Sequence, residues 1–165
     1  MSDATGHEAR LVGIFGRFGI AEDVVRAGRT GGPLVPAESH FDLAAALKEA
    51  GWRLYVTTVA SHWPAAKSEA GAAPADQFEV GTALRTIGRD SHVATWRVRL
   101  EAGQEIDSLT ALFAGADWQE REQFDLVGVR FRGHPDLRRI MMPDEWTGHP
   151  LRKDYAIETG CEPWR

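Results

Sequence analysis

The sequence predicts an α+β fold: a single domain over residues 1–132, a mainly antiparallel sheet with helices packed on it, then an extended C-terminal arm over 133–165. Three observations carry this. Three segments, Trp52–Ala60, Phe78–Ile87 and Val93–Leu100, are rich in β-branched and aromatic residues, and the last alternates in polarity. Helical spacing of apolar residues appears before and between them. Past Arg132 all periodicity stops.

Leu11, Ile14, Phe15 and Phe18 fall on one helical face that Gly19 closes. Gly13, Gly16 and Gly19 are spaced by three, which is neither a dinucleotide fingerprint nor a phosphate loop. After the turn-rich AGRTGGP, Leu34-Val35 lies between prolines and suits an edge strand at most. Ser39 with Asp42 reads as a capping box opening a helix that carries Phe41, Ala44 and Leu47 on one face and ends at Gly51.

The strand Trp52–Ala60 follows, and then a loop, KSEAGAAPAD, from Lys67 to Asp76. Phe78–Ile87 and Val93–Leu100 form a hairpin across Gly88–Ser91. Ala94, Trp96, Val98 and Leu100 make its dry face. Asp107 or Ser108 is expected to cap a short helix, LTALFAG. Asp117 is expected to cap another, with Glu120 at its third position and Gly128 closing it. Val129 and Phe131 then oppose Arg130 and Arg132 in a brief strand.

Composition removes several function classes. The net charge of −5 gives no global attraction to nucleic acid or anionic lipid. The one cysteine, Cys161, can form no internal disulfide, and an iron–sulfur cluster needs about four ligands. The N-terminal residues lack the apolar run of a secretory signal, and LVGIFGRFGI is too short to span a bilayer. No hydrolase elbow of the G-x-S-x-G type is present.

The arm contains one phrase twice, Gly133-His134-Pro135 before Leu137-Arg138-Arg139 and Gly148-His149-Pro150 before Leu151-Arg152-Lys153. Each proline biases its histidine towards extended backbone. Between the phrases the apolar residues are too few and too irregular to offset the ordering entropy. The segment must therefore be pinned to the domain, pinned to another chain, or stay loose. Arginines 130, 132, 138 and 139 outnumber the single Asp136 in their stretch, facing Glu120, Glu122 and Asp125 upstream. Arginine forks suit carboxylates and carbonyls at tight interfaces, or ordinary surface pairs with neighbouring acids. His134, Asp136, His149, Asp154 and Glu120 are metal-ligand types, but they lack the spacing that places ligands on one helical face. These residues leave two alternatives open: a free-standing metal-dependent or phosphate-handling enzyme using His134, Asp136 and His149, and a small adaptor that binds anionic ligands through the arginine cluster. His7, His40, His62 and His92 are assigned no role.

The run ADWQEREQFDLVGVRFRGHPDLRRIMMPDEWTGHPLRKDY, residues 116–155, resembles the signature region of the C subunit of NADH-quinone oxidoreductase, respiratory complex I. Glu120-Arg121-Glu122, Asp125, His134, Arg138 and Ile140-Met141 carry the likeness, with GHPLRKDY at its end. AALKEAGWRLYVTTVAS adds a weaker one. The chain departs from the pattern at Ser61-His62-Trp63, where members often have an aspartate, and at Ala156 after Tyr155.

The resemblance implies a cofactor-free, chiefly architectural subunit of the peripheral arm of a proton-pumping enzyme, on the cytoplasmic face and bound to the membrane only indirectly. FMN, iron–sulfur clusters and quinone would belong to partner subunits. The partners it implies are the large hydrogenase-like subunit and the one that carries the terminal cluster, with no nucleic acid. Related membrane-bound hydrogenases and deazaflavin-dependent dehydrogenases hold equivalent modules. On this reading Glu120, Arg121, Glu122 and Asp125 hold the root of the arm. Arg130, Arg132, His134, Asp136, Arg138, Arg139, His149, Arg152, Lys153, Asp154 and Tyr155 belong to the arm or face partners. No residue is catalytic and none is a metal ligand.

Overall fold

The computed structural model describes residues 2–26, 31–65, 76–88 and 91–156. Helix α1 (Ser2–Arg17) buries Ile14 and Phe15 and ends where Gly19 takes φ +77°. The short α2 (Glu22–Arg26) folds back on α1. Strand β1 (Leu34–Val35) leads through a 3₁₀ turn, Ala37–Ser39, into α3 (His40–Glu49). Three long strands follow, β2 (Leu54–Trp63), β3 (Gln77–Arg85) and β4 (Val93–Glu101). The chain closes with β5 (Glu105–Asp107), α4 (Ala116–Leu126) and β6 (Arg130–Arg132).

The main sheet has the order β1-β4-β3-β2, antiparallel throughout except that β1 runs parallel to β4. Strands β5 and β6 form a second, parallel pair. The predicted α+β architecture with a mainly antiparallel sheet is the one observed. The expected alternation along β4 holds as well, with Ala94, Trp96, Val98 and Leu100 buried. They pack against Leu43, Ala44 and Leu47 of α3, Ile14 and Phe15 of α1, and Val129 and Phe131. Edge strand β1 needs Gly32 beside it. A Cβ there would lie 2.0 Å from the Thr95 carbonyl oxygen, at φ +79°.

Several local expectations need correction. Ser39 does not cap α3, because Pro36 starts a 3₁₀ turn that already puts Ser39 in helical geometry, and its side chain makes no cap hydrogen bond. Phe41 is only half-buried, and the inward face of α3 is His40, Leu43, Ala44 and Leu47. The strand begins at Leu54 rather than Trp52 and runs on through Ser61-His62-Trp63. Residues 109–115 form turns instead of a helix. Seven residues barely offset the cost of helix nucleation, and burial of Leu109 and Phe113 fixes the turns instead. Gly115, not Asp117, precedes α4 as its cap residue, and Asp117 sits in the first turn. The three residues of β5 were too short to signal a strand. The loop 67–76 falls outside the described residues except for Asp76, as do residues 89–90 of the hairpin turn and the tail beyond Ala156.

Candidate functional site

Helix α4 lies against the outer edge of β2 and receives the arm along its other side. Gln119 and Gln123, one turn apart, act as a substitute strand. Gln119 Oε1 accepts the Thr58 N–H at 2.7 Å, Gln123 Oε1 accepts the Ala60 N–H at 2.9 Å, and Gln119 Nε2 donates to the Val56 carbonyl. The 1.5 Å rise per helical residue over four residues nearly equals the rise of two strand residues, so side chains at i and i+4 meet backbone at i and i+2. These glutamines carry no sequence signal beyond that spacing.

Residues 133–156 contain no helix or strand, and they attach to α4 at both ends. At the first turn, the His134 ring is fully buried; its Nδ1 accepts the Asp136 N–H, which leaves Nε2–H to donate to the Asp117 carbonyl at 3.2 Å. At the last turn, His149 Nδ1 donates to the Asp125 carbonyl at 2.9 Å. The two Gly-His-Pro phrases thus place one imidazole at each end of the same helix.

The final carbonyls of a helix have no partner within it. Here the Val127 and Gly128 amides serve the Gln123 and Phe124 oxygens, and the arm serves the next three carbonyls in turn. The Asp125 oxygen also accepts from Arg139, the Leu126 oxygen accepts the Leu151 N–H at 2.9 Å, and the Val127 oxygen accepts Arg152 Nε at 2.9 Å. Cationic donors suit this negative end of the helix dipole. Gly128, at φ +89°, lets the chain turn while the His149 ring comes within 2.7 Å of where a Cβ would stand.

The centre of the attachment is Asp125, whose side chain is wholly buried. Its Oδ2 accepts the backbone N–H groups of Ile140, Met141 and Met142 at 3.0, 2.7 and 2.9 Å, and Oδ1 accepts Arg139 Nη1 at 2.6 Å. Burial pushes this carboxyl up, but the Met142 and Met141 amides, Arg139 and Ile140 outweigh it, and its pKa lies below the usual carboxylate range. Arg121 reaches the next carbonyls, donating to Arg138 O at 3.2 Å and Arg139 O at 3.5 Å, with its guanidinium over Trp118. Burial holds His149 below the ordinary histidine value, with the charges of Arg152 and Arg139 acting the same way, which suits a neutral donor.

The other residues of interest are distributed more widely. Glu120 does not touch the arm: its carboxylate is buried against the Ser108 hydroxyl at 2.6 Å and the Leu109 N–H at 2.7 Å, and burial raises its pKa to about 7. Glu122 is half-buried and joins no ion pair among the described residues. Arg132 donates to Asp107 at 2.7 Å, and Arg130 lies 4.0 Å from Glu105. Exposed Arg138 pairs with Asp136 at 2.9 Å. Tyr155 packs its ring over Gly148. The Lys153 N–H donates to His62 Nδ1 at 3.1 Å, with Asp154 alongside. Sequence spacing could not find His62, since it meets Lys153 only through the sheet.

Four cavities that the described residues line leave out His134 and His149. Residues 34–160 match the model of a family described as respiratory-chain NADH dehydrogenase, 30 Kd subunit. The chain belongs to that family. Among its relatives, the C subunit of NADH-quinone oxidoreductase from Geobacter metallireducens is 54% identical over 66 residues, 39% of this chain and 41% of that protein. The C/D subunit from Shewanella oneidensis is 36% identical over 164 residues, 95% of this chain and 27% of that one. The chain therefore spans less than half the length of these curated relatives. The solved trypsin-resistant fragment (1–134) of Nqo5 is 26% identical with a TM-score of 0.48, covering 63% of this chain and 80% of that chain. Among the described residues, no helix is long and apolar enough to cross a membrane.

Proposed function

We propose that the chain is a structural subunit of the peripheral arm of a proton-pumping NADH:quinone oxidoreductase, attached to the cytoplasmic face of the membrane through its partners. It carries no redox cofactor: FMN, iron–sulfur clusters and quinone sit in neighbouring subunits, and one cysteine is too few for a cluster. Its partners are the large hydrogenase-like subunit and the one bearing the terminal cluster.

The observation that carries this reading is how α4 and the arm divide their residues. The buried and half-buried polar groups, Asp125, Arg139, Arg121 and the two histidines, hold the arm in place. Large apolar groups are left to solvent on the same two segments: Trp118, Met141, Trp146 and Leu151. Exposed aromatic and methionine side chains beside arginine are the composition of a protein interface. In this arrangement the domain builds a rigid strap and offers its outer surface to neighbours.

The experiment is to replace the exposed Arg138 or Trp118 by alanine in the cell and measure the abundance of assembled complex beside turnover per assembled complex. Reduced abundance with normal turnover is the expected result. Normal abundance with lost turnover overturns the architectural role.

A further inference from the structure

His62 is buried where β2 approaches both Asp76 and the end of the arm, and its ring is only half satisfied. The Lys153 N–H donates to Nδ1 at 3.1 Å, so in this tautomer the proton resides on Nε2. The side chain has no solvent exposure, and Nε2 has no hydrogen-bond partner. Its nearest acid is Asp76 Oδ2 at 3.7 Å, too long for a hydrogen bond. On the other side of the ring Asp154 Oδ1 stands 3.4 Å from Nδ1. One ligand atom from each of the three residues fits within a span of 4.8 Å.

A separation too long for a hydrogen bond suits two ligands of one ion. Zinc-type bonds of about 2.1 Å to nitrogen and to oxygen bridge such a gap at an angle of about 120°. Asp76 is 38% exposed and Asp154 49%, so an ion reaches the ring from solvent past the carboxylates. Imidazole with carboxylate is the donor set of a borderline divalent transition ion.

We propose that His62 Nε2 and Asp76 bind one such divalent cation, with Asp154 orienting the ring from behind and water completing the coordination. Binding leaves the ring neutral: the proton moves from Nε2 to Nδ1 and stays there, donating a hydrogen bond to Asp154. That is the carboxylate–histidine–metal relay by which outer groups fix a ligand's tautomer. The Lys153 N–H then loses its acceptor, so the ion is felt at the end of the arm. Two carboxylates supply the negative charge. Of the cations nearby, Arg152 is occupied with the Val127 carbonyl and the Phe78 ring, which also stacks on His62.

The test is titration of Zn²⁺ into the full chain, followed by calorimetry and by the amide signal of Lys153 in ¹⁵N-resolved NMR. One saturable site that moves the Lys153 amide is expected. His62→Gln abolishes it, and Asp76→Asn and Asp154→Asn each weaken it about 10- to 100-fold. Thermal melts identify any variant that fails to fold. Asp76→Asn, at a more exposed position, decides the matter if His62→Gln is lost. Absence of saturable binding, or binding unaltered in Asp76→Asn and Asp154→Asn, overturns the proposal. The assay uses the chain alone, so its failure leaves the assembly reading intact.

Discussion

Asp125 and Arg139 meet at 2.6 Å with the carboxylate wholly buried, and this pair fastens the arm to the helix. The same carboxylate orders three successive backbone amides, from Ile140 to Met142. Asp125→Ala strands Arg139 and three N–H groups, and leaving a buried charge without its partner costs about 3–5 kcal/mol. We expect denaturant midpoints to fall and protease cleavage within 133–156 to rise sharply. Asp125→Asn, which keeps one accepting oxygen, should lie between the variant and the wild type.

Gly128 is the second fastening point. An alanine there is forced to φ +89° and into the His149 ring. Strained left-handed geometry alone costs about 1–3 kcal/mol, so Gly128→Ala should both lower stability and release residues 148–155 in hydrogen exchange. Gly13, exposed in α1 with nothing near its Cβ position, supplies the contrast. Gly13→Ala is expected to raise stability by about 0.5–1 kcal/mol.

Stability should depend on pH through Glu120, whose burial raises its pKa from 4.5 to about 7. Between these values the folded chain keeps a proton that the unfolded chain has released. Folding is therefore favoured at the acid end, and the advantage disappears as pH rises through 7. Glu120→Gln removes this titration and retains an oxygen for the Leu109 N–H. The stability of wild type relative to the variant should drop by about 2–3 kcal/mol between pH 5 and 8. His40, which burial lowers to about 4, acts in the opposite sense below neutrality, and it is common to both proteins. A flat difference curve would show that Glu120 is ionised throughout.

Much of the fold was legible because β4 alternates cleanly and α1 repeats its apolar residues at helical spacing. Residues 105–115 were not, since a three-residue strand and a run of turns leave no periodicity; their shape is set from outside, by Glu120 reaching back to Ser108 and Leu109. The repeated Gly-His-Pro phrase was visible as an echo, but its meaning depends on length. Asp117 and Asp125 stand about 12 Å apart along a helix, and the two histidines span that distance. The carbonyls they meet belong to the backbone, so no side-chain pattern advertises them. For the same reason residue pattern alone could state only that the arm must be pinned, and it was the family resemblance that pointed to Arg121 and Asp125 of α4 as its supports.

The glutamine pair on α4 makes the most specific claim about β2. A long edge strand with free N–H and C=O groups is a template for unwanted pairing, and here Gln119 and Gln123 occupy those groups at Val56, Thr58 and Ala60. Gln123 is itself buried, so Gln123→Ala leaves the Ala60 N–H without an acceptor in a dry setting, at a cost of about 1–3 kcal/mol. Gln119→Ala, nearer to solvent, should cost less. Because the two side chains serve one strand, their effects should not add, and a double-mutant cycle should show coupling of about 0.5 kcal/mol or more. Beyond stability, the double variant should self-associate in a concentration-dependent way, seen by light scattering, because the bared edge can recruit a second copy. A monomeric double variant with additive losses would mean that packing of α4, rather than its amide groups, protects this edge.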